Sequence, residues 1–145
     1  MTLLIINGPN LNLLGTREPH IYGSLTLDEL NQNIRTYCHE RHIKPLFFQS
    51  NHEGFIIDFI HDHRHTSDGM VINPGALTHY SYALRDAIAA VAVPTVEVHI
   101  SDIYNREEFR KISVLKEVCI HQISGKGTLG YIQAIEFLIE HLASR

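Results

Sequence analysis

Residues 3–9 read Leu-Leu-Ile-Ile-Asn-Gly-Pro, a short apolar run that turn residues close at once. Four further segments of the same kind follow, at residues 45–48, 69–72, 95–98 and 118–123. These runs carry no regular alternation of apolar and polar residues, which is typical of strands that are buried on both faces of a parallel sheet. The sequence therefore predicts five buried, parallel strands.

Segments with the apolar spacing of helices lie between these runs. Their stripes begin at Leu27, Phe55, Ala83 and Tyr131 and continue at intervals of three and four residues. Strands that alternate with helices form right-handed βαβ units, in which helices cover both faces of the sheet. The predicted fold is α/β, a flavodoxin-like doubly wound three-layer sandwich with a five-stranded parallel sheet. We expect one domain over residues 1–145, because no repeat, low-complexity tract or linker divides the chain.

Local signals indicate where some of these elements begin. Thr26 and Glu29 have the spacing of a capping box before the first helix. Ser50 and Glu53 have the same spacing before the second helix. A further short helical turn is expected at residues 107–109.

Composition excludes several classes of protein. The chain has 145 residues, 44% of them hydrophobic and 19% charged, which is enough apolar side chain for a buried core. Its formal net charge of -4 lacks the basic footprint that nucleic acid binding needs. Cys38 and Cys119 form neither a disulfide framework nor a metal-binding motif, which favours a reducing environment. The N-terminal apolar run is too short for a signal peptide or a membrane span, so we expect a cytoplasmic protein without a membrane partner.

The candidate site residues lie where the predicted strands end. Residues 7–23 form a connection far longer than the two to six residues usual between a strand and a helix. Glycines at positions 8, 15 and 23 would let it hinge, so we predict a mobile lid at about 15–24. Asn73 follows the third strand, and His99 ends the fourth. Because ligands of such sheets bind outside the carboxyl ends of the strands, these residues are expected to line one crevice.

Each candidate also has a purely structural interpretation. Asn10 and Asn73 have the side chains of ordinary turn residues, which bond the local backbone. His99 is compatible with a hydrogen-bonded core histidine, and Tyr22 with a packing plug in a loop. No single residue decides between these interpretations, and the combination favours a functional site.

Two further patterns do not indicate a site. Residues 125–130 match G-x-G-x-x-G, but they follow the last strand and no further βαβ unit comes after them, so tight strand-to-helix packing explains them. His61, His63 and His65 resemble metal ligands, with His61 and His65 on one helix face. Basic side chains at a helix C-terminus are common for electrostatic reasons, so we expect a solvated helix end and no bound metal.

Ordered blocks of sequence resemble a known family, the type II 3-dehydroquinate dehydratases, over essentially the whole chain. The blocks are residues 7–15, 17–19, 22–23, 49–54, 73–76, 78–79, 83–86, 97–101 and 106–110. The resemblance implies a flavodoxin-like subunit, a dodecamer built as a tetramer of trimers, and no cofactor. It also implies reversible dehydration of 3-dehydroquinate to 3-dehydroshikimate, by anti elimination through an enolate and without a Schiff base.

The same resemblance implies roles for individual residues. Tyr22 matches the base that takes a proton from the carbon next to the ketone, and His99 matches the acid that protonates the departing hydroxyl. Asn10 matches the residue that holds a water against the enolate oxygen, and Arg17 matches the lid arginine beside the base. The implied substrate-binding residues are Asn73, Gly75, His79, Asp86, Ile100, Ser101, Arg106 and Arg110, with Asp86 reaching the site across a subunit interface.

Elementary electrostatics is consistent with these roles. An ordinary tyrosine has a pKa of about 10, so a tyrosine base needs nearby positive charge to favour the phenolate. Arg17 and Arg106 are the expected sources of that charge. Glu97 precedes His99 by two residues and therefore lies on the same side of the strand, where it would influence the protonation of the imidazole.

Two alternatives of other classes stay open at this stage. One is a non-catalytic flavodoxin-like module that binds a ligand or assembles into a shell. The other is a flavin-binding electron carrier, which is disfavoured because no phosphate-binding loop follows the first strand. The sequence does not distinguish a biosynthetic role from the breakdown of quinate, since the chemistry is the same.

Overall fold

The structure, a computed structural model, describes residues 1–16 and 18–145, and of Tyr22 only the backbone. Five strands form one parallel sheet: β1 (Thr2–Asn7), β2 (Lys44–Gln49), β3 (Gly69–Asn73), β4 (Thr95–His99) and β5 (His121–Ser124). Their order is β2-β1-β3-β4-β5, so the direction of winding changes beside β1. This is the doubly wound, flavodoxin-like arrangement predicted from the sequence.

The described residues form five α-helices: α1 (Pro19–Tyr22), α2 (Leu27–His39), α3 (Glu53–Asp62), α4 (Tyr82–Val91) and α5 (Leu129–Ala143). Helix α5 follows the last strand, and the described connection from β4 to β5 contains 3-10 turns in place of an α-helix. Alternate residues of β1 pack on opposite faces of the sheet. Leu3 and Ile5 lie in one buried cluster with α2 and α5, while Leu4 and Ile6 lie in another with α3 and α4. Each such side chain stabilises the fold by about 1.5–3 kcal/mol. None of the helices in the described residues is long and apolar enough to cross a membrane.

One of the two predicted capping boxes is confirmed. Thr26 accepts a hydrogen bond from the Glu29 amide at 3.2 Å, and the Glu29 carboxylate accepts one from the Thr26 amide at 3.3 Å. The second prediction is wrong. Ser50 Oγ accepts from the His52 amide at 2.9 Å, ahead of the helix. Glu53 instead accepts a hydrogen bond from the Ser81 hydroxyl, which joins the starts of α3 and α4.

The fifth strand begins three residues later than predicted. Residues Lys116–Val118 form a 3-10 turn, and β5 runs over His121–Ser124. Val118 and Cys119 are apolar because they pack against the buried cluster of α3 and α4, not because they are paired in the sheet. The short turn expected at 107–109 occurs as a 3-10 turn over Glu108–Lys111.

Helix α3 is shorter than its histidine pattern indicates. It ends at Asp62, so His63 and His65 lie beyond it and the shared helix face predicted for His61 and His65 is wrong. His63 Nδ1 lies 2.9 Å from the Phe59 carbonyl oxygen, and the two rings are in contact. This contact gives His63 a structural role at the helix end.

The loops after β1 and β3 touch each other directly. A Cβ atom on Gly8 would lie 2.5 Å from the Pro74 carbonyl oxygen, closer than real contacts allow. Gly75 has φ +59, and a Cβ there would lie 3.0 Å from the Pro9 carbonyl oxygen. Gly8 therefore permits the close approach of two backbones.

Candidate active site

A cavity opens at the carboxyl ends of β1, β3 and β4, where the sequence predicts the ligand. Nine of the predicted site residues line it: Asn10, Asn73, Gly75, His79, His99, Ile100, Ser101, Arg106 and Arg110. Asp86 lies on α4 and does not line this cavity. Arg17 and the side chain of Tyr22 lie outside the described residues.

A buried acid and a histidine form the innermost part of the site. His99 Nε2 lies 2.5 Å from Glu97 Oε2, and both side chains are almost wholly buried. The two residues are separated by one position on β4, so their side chains leave the strand on the same side. Because Glu97 accepts the Nε2 proton, Nδ1 is the ring nitrogen left to exchange a proton with a molecule in the cavity.

Two hydroxyl groups complete the surroundings of Glu97. Thr78 Oγ1 donates to Oε2, and Ser113 Oγ lies 2.8 Å from Oε1 and 2.9 Å from Oε2. Burial by itself raises the pKa of Glu97, but the hydrogen bond and charge of His99, together with the two hydroxyls, lower it on balance. Glu97 is therefore held as a carboxylate, the form that stabilises a protonated His99.

Two arginines, Arg106 and Arg110, line the same cavity. Arg106 Nη1 donates to Ser101 Oγ at 3.2 Å, and Arg106 Nη2 lies 3.9 Å from a carboxylate oxygen of Glu18. Arg110 Nε donates to Glu107 at 2.9 Å. Two guanidinium groups beside a small polar cavity favour an anionic ligand.

Backbone amides also favour an anionic ligand in this cavity. In the part of the chain that the structure describes, the amides of Ile100 and Ser101 donate no hydrogen bond. Both residues line the cavity directly after β4. Unpaired amides at a strand end are suitable donors for a carboxylate oxygen.

His79 is oriented by the segment that follows the Glu108–Lys111 turn. Its Nδ1 lies 2.7 Å from the Ile112 carbonyl oxygen, and its ring meets the edge of Phe109 at a centroid distance of 5.9 Å. Burial lowers the pKa of His79, and the charges of His99 and Arg110 lower it further, although the Ile112 carbonyl acts in the opposite direction. Neutral His79 donates from Nδ1 and presents Nε2 as an acceptor for a ligand hydroxyl.

Asn73 is held by a buried tyrosine on the last helix. Asn73 Nδ2 donates to the Tyr131 hydroxyl at 2.9 Å, and that hydroxyl donates to Asn7 Oδ1 at 2.5 Å. Asn73 Oδ1 accepts from the Gly75 amide at 3.2 Å. Tyr131 is fully buried, and burial raises its pKa, so its hydroxyl stays protonated. These bonds fix the ends of β1 and β3 relative to each other.

Asn10 stands in the left-handed backbone region with φ 71, which asparagine tolerates better than most residues. Its amide donates to Asn51 Oδ1 at 2.9 Å. Gln49 Nε2 donates to the Gly8 carbonyl oxygen at 3.1 Å. The loop after β1 is thus tied to the end of β2, which sets the position of Asn10 at the cavity wall.

Metal ligation has no geometric support among residues 1–16 and 18–145. Their histidine, cysteine, aspartate and glutamate side chains form no group of three or more that could hold a metal ion.

A family model described as Dehydroquinase class II matches residues 1–139. The chain belongs to this family. The chain is 55% identical over 135 residues to the 3-dehydroquinate dehydratase of Halothermothrix orenii, with 93% of this chain and 91% of that protein covered. It is 50% identical to the catabolic 3-dehydroquinase 2 of Neosartorya fischeri, with 99% of this chain and 95% of that protein covered. The type II dehydroquinase structure from Butyrivibrio crossotus superposes with a TM-score of 0.94 at 53% identity, over 96% of this chain and 97% of that chain.

These similarities confirm the family and the fold class that the sequence predicts. They do not assign roles to residues, so the roles listed from the family resemblance stay predictions for this class II dehydroquinase. Sequence reasoning missed Ser113 and the contribution of Tyr131. Tyr131 carries only the helical spacing of a core residue, and Ser113 lies in an irregular segment that has no pattern of its own.

Proposed function

We propose that the chain catalyses the reversible dehydration of 3-dehydroquinate to 3-dehydroshikimate, a lyase reaction of the shikimate pathway. The buried Glu97–His99 pair carries the proposal, because it offers an acid at a cavity that also bears two arginines. A substrate with a carboxylate, ring hydroxyls and a departing hydroxyl needs these groups. Membership of the class II dehydroquinase family supports the same reaction.

His99 is the acid of this proposal. Its Nε2 proton is engaged by Glu97, so the Nδ1 proton of the imidazolium passes to the departing hydroxyl, which leaves as water. The carboxylate of Glu97 stabilises the positive charge before the transfer and keeps the ring oriented afterwards. The acid is therefore oriented before the substrate arrives.

Tyr22 is the base, as the family pattern implies, and takes the proton from the carbon beside the ketone. The electron pair left on that carbon forms the enolate and then expels the hydroxyl on the opposite face. Arg17 and Arg106 supply positive charge that favours the phenolate. Two contacts support a place for the segment around α1 at the site. Arg106 lies near Glu18, just before α1, and Arg106 and Ile21 line the same hollow.

The remaining residues bind the substrate or the enolate. Asn10 holds a water against the enolate oxygen, which supplies a hydrogen-bond donor to the developing charge. The substrate carboxylate is bound by the Ile100 and Ser101 amides together with the turn at Asn73 and Gly75. The ring hydroxyls are bound by His79 and Arg110.

The proposal includes the organisation of the protein. Residues 1–145 act as one catalytic domain with a lid at about 15–24 that closes over the substrate and excludes water. Twelve subunits assemble in the cytoplasm as a tetramer of trimers. Asp86 reaches the site of a neighbouring subunit, which accords with its place on α4 away from the cavity of its own chain. The enzyme uses no cofactor.

The test uses two samples of the purified protein, one of which is first treated with borohydride in the presence of 3-dehydroquinate. Fresh 3-dehydroquinate is then added to both samples, and the ultraviolet absorbance of the conjugated enone product is followed. We expect turnover that survives the pretreatment, because no lysine adduct is formed. Loss of activity after borohydride would overturn the enolate mechanism. Folded, oligomeric protein without any turnover would favour the non-catalytic binding or assembly module.

A further inference from the structure

Ser113 lies in the irregular segment after the Glu108–Lys111 turn and has no role in the reaction described above. Its Oγ is 2.8 and 2.9 Å from the two carboxylate oxygens of Glu97. The same Oγ accepts hydrogen bonds from the amides of Leu115 at 3.2 Å and Lys116 at 3.1 Å. Thr78 Oγ1 lies 3.1 Å from the same Oγ, farther than either carboxylate oxygen of Glu97. Because the two amides occupy the lone pairs of Ser113 and the carboxylate is the closer and stronger acceptor, we assign the hydroxyl proton to Glu97.

The backbone on both sides of Ser113 is attached to the turn after β3. The Val114 amide donates to the Thr78 carbonyl oxygen at 2.7 Å, and His79 Nδ1 lies 2.7 Å from the Ile112 carbonyl oxygen. Ser113 is therefore held between two anchored residues, and these hydrogen bonds keep its backbone beside Glu97.

We propose that Ser113 is a positioning residue for the dehydration, acting through Glu97 to fix the orientation and charge state of the acid His99. This inference rests on the proposed function. A buried carboxylate with two oxygens can rotate unless both are held, and rotation of Glu97 would carry the imidazole with it. Among the described residues, the charged or titratable groups near the pair are His79 and Cys119, together with Arg106 and Arg110, which line the same cavity. All four are retained in the variants below.

Removal of the Ser113 hydroxyl takes one donor from the carboxylate, so the Glu97–His99 pair binds its proton more tightly. For Ser113→Ala we expect kcat to fall about tenfold, because the variant lacks one hydrogen bond to the charged carboxylate. The alkaline limb of the kcat profile should move to higher pH, while KM changes less than about twofold. Ser113→Thr restores the hydroxyl and should recover most of the lost kcat.

A matched control is Ser67→Ala. Ser67 is also half-buried, but its hydroxyl donates to the His63 carbonyl oxygen at 2.8 Å, away from the cavity. We expect its kcat, KM and pH profile to equal those of the wild type. If Ser113→Ala fails to fold, Ser113→Cys takes its place, since a thiol keeps the shape but is a weak donor.

The decisive readout beyond activity is the histidine titration by NMR on isotope-labelled protein without substrate, with the His99 signal assigned by its loss in His99→Asn. The titration midpoint of the pair should rise in Ser113→Ala and return in Ser113→Thr. An unchanged midpoint, or a raised KM with normal kcat and pH profile, would overturn the proposal and leave Ser113 as a tether of the Arg110 segment. If the wild type lacks dehydratase activity, the proposed function fails, whereas the NMR comparison still tests the link from Ser113 to His99.

Discussion

The His99 imidazole and the Glu97 carboxylate lie 2.5 Å apart, and each is almost completely shielded from solvent. A charge this deeply buried is stable only with close partners, and Glu97 has them in His99, Thr78 and Ser113. The pair acts as one unit, in which loss of the carboxylate removes the charge that stabilises the imidazolium.

Glu97→Gln tests the catalytic importance of this unit. The substitution keeps the size of the side chain but removes its charge, so we expect kcat to fall at least about 100-fold, within the range for general acid catalysis. The alkaline limb of the kcat profile should move to lower pH, because the imidazolium has lost its counter-charge. Steady-state kinetics from pH 5 to 10 provide the measurement. An unchanged profile would exclude Glu97 from the proton transfer.

The lowered pKa of Glu97 also predicts how stability depends on pH. A carboxyl group whose pKa is lower in the folded than in the unfolded protein contributes stability above the unfolded pKa. That contribution is lost as pH falls through the folded pKa. The free energy of unfolding of the wild type in denaturant should therefore fall as the pH drops below the ordinary glutamate pKa of about 4.3. Glu97→Gln, at the same protein concentration, should show a shallower loss. Parallel curves would contradict this account.

Tyr131→Phe tests the link between the last helix and the strand ends. The change removes one oxygen atom, and with it the hydrogen-bond partner of Asn73 Nδ2 and Asn7 Oδ1, so we expect a loss of about 1–3 kcal/mol in the free energy of unfolding. Tyr37→Phe is the control, because Tyr37 bonds Glu136 at the protein surface and its removal costs less than about 1 kcal/mol. Equal effects of the two substitutions would rule out a special role for Tyr131.

Gly8→Ala tests the contact of the two loops that follow β1 and β3. The added methyl would meet the Pro74 carbonyl oxygen at 2.5 Å, and the loops would have to separate. We expect destabilisation by about 1–3 kcal/mol and a raised KM, because the cavity lies between them. Gly54→Ala is the opposite case. Its methyl has nothing within 4 Å and lies in α3, so it should stabilise the protein by about 0.5–1 kcal/mol. Calorimetry on both variants shows whether each substitution raises or lowers the stability of the protein.

Tyr22→Phe and Arg17→Ala test the proposed base. Both should lower kcat at least about 100-fold, because one removes the proton acceptor and the other removes charge that favours the phenolate. Both should retain the circular dichroism and oligomeric state of the wild type. Near-normal turnover in Tyr22→Phe would exclude it as the base. An unfolded Tyr22→Phe would instead support the packing-plug interpretation.

The architecture was predictable because it follows from local patterns. Runs such as 69–72 have the composition of buried strands, and the rule that ligands bind at strand ends predicts that Asn73 and His99 line one cavity. The predicted start of the fifth strand was wrong, because Val118 and Cys119 owe their apolar character to packing beside the sheet. Residue periodicity does not distinguish those two causes.

The hydrogen bonds that hold the site residues in place were not predictable. Ser113 reaches Glu97 from a position 16 residues away in the chain, and Tyr131 reaches Asn7 across 124 residues. Such contacts depend on tertiary packing, which leaves no spacing in the sequence. The capping-box pattern of Ser50 and Glu53 was misleading for the same reason, since Glu53 accepts its hydrogen bond from Ser81, which directly precedes α4.

The hydrogen bonds between the Tyr131 hydroxyl and the strand ends affect the order in which the site can form during synthesis. The ribosome makes β1 and β3 early, whereas α5 (Leu129–Ala143) is among the last segments to emerge. Asn7 and Asn73 can acquire their shared partner only after that helix has docked. The crevice therefore reaches its final form at the end of folding, and a chain truncated before α5 would present the strand ends without the geometry that makes them a site.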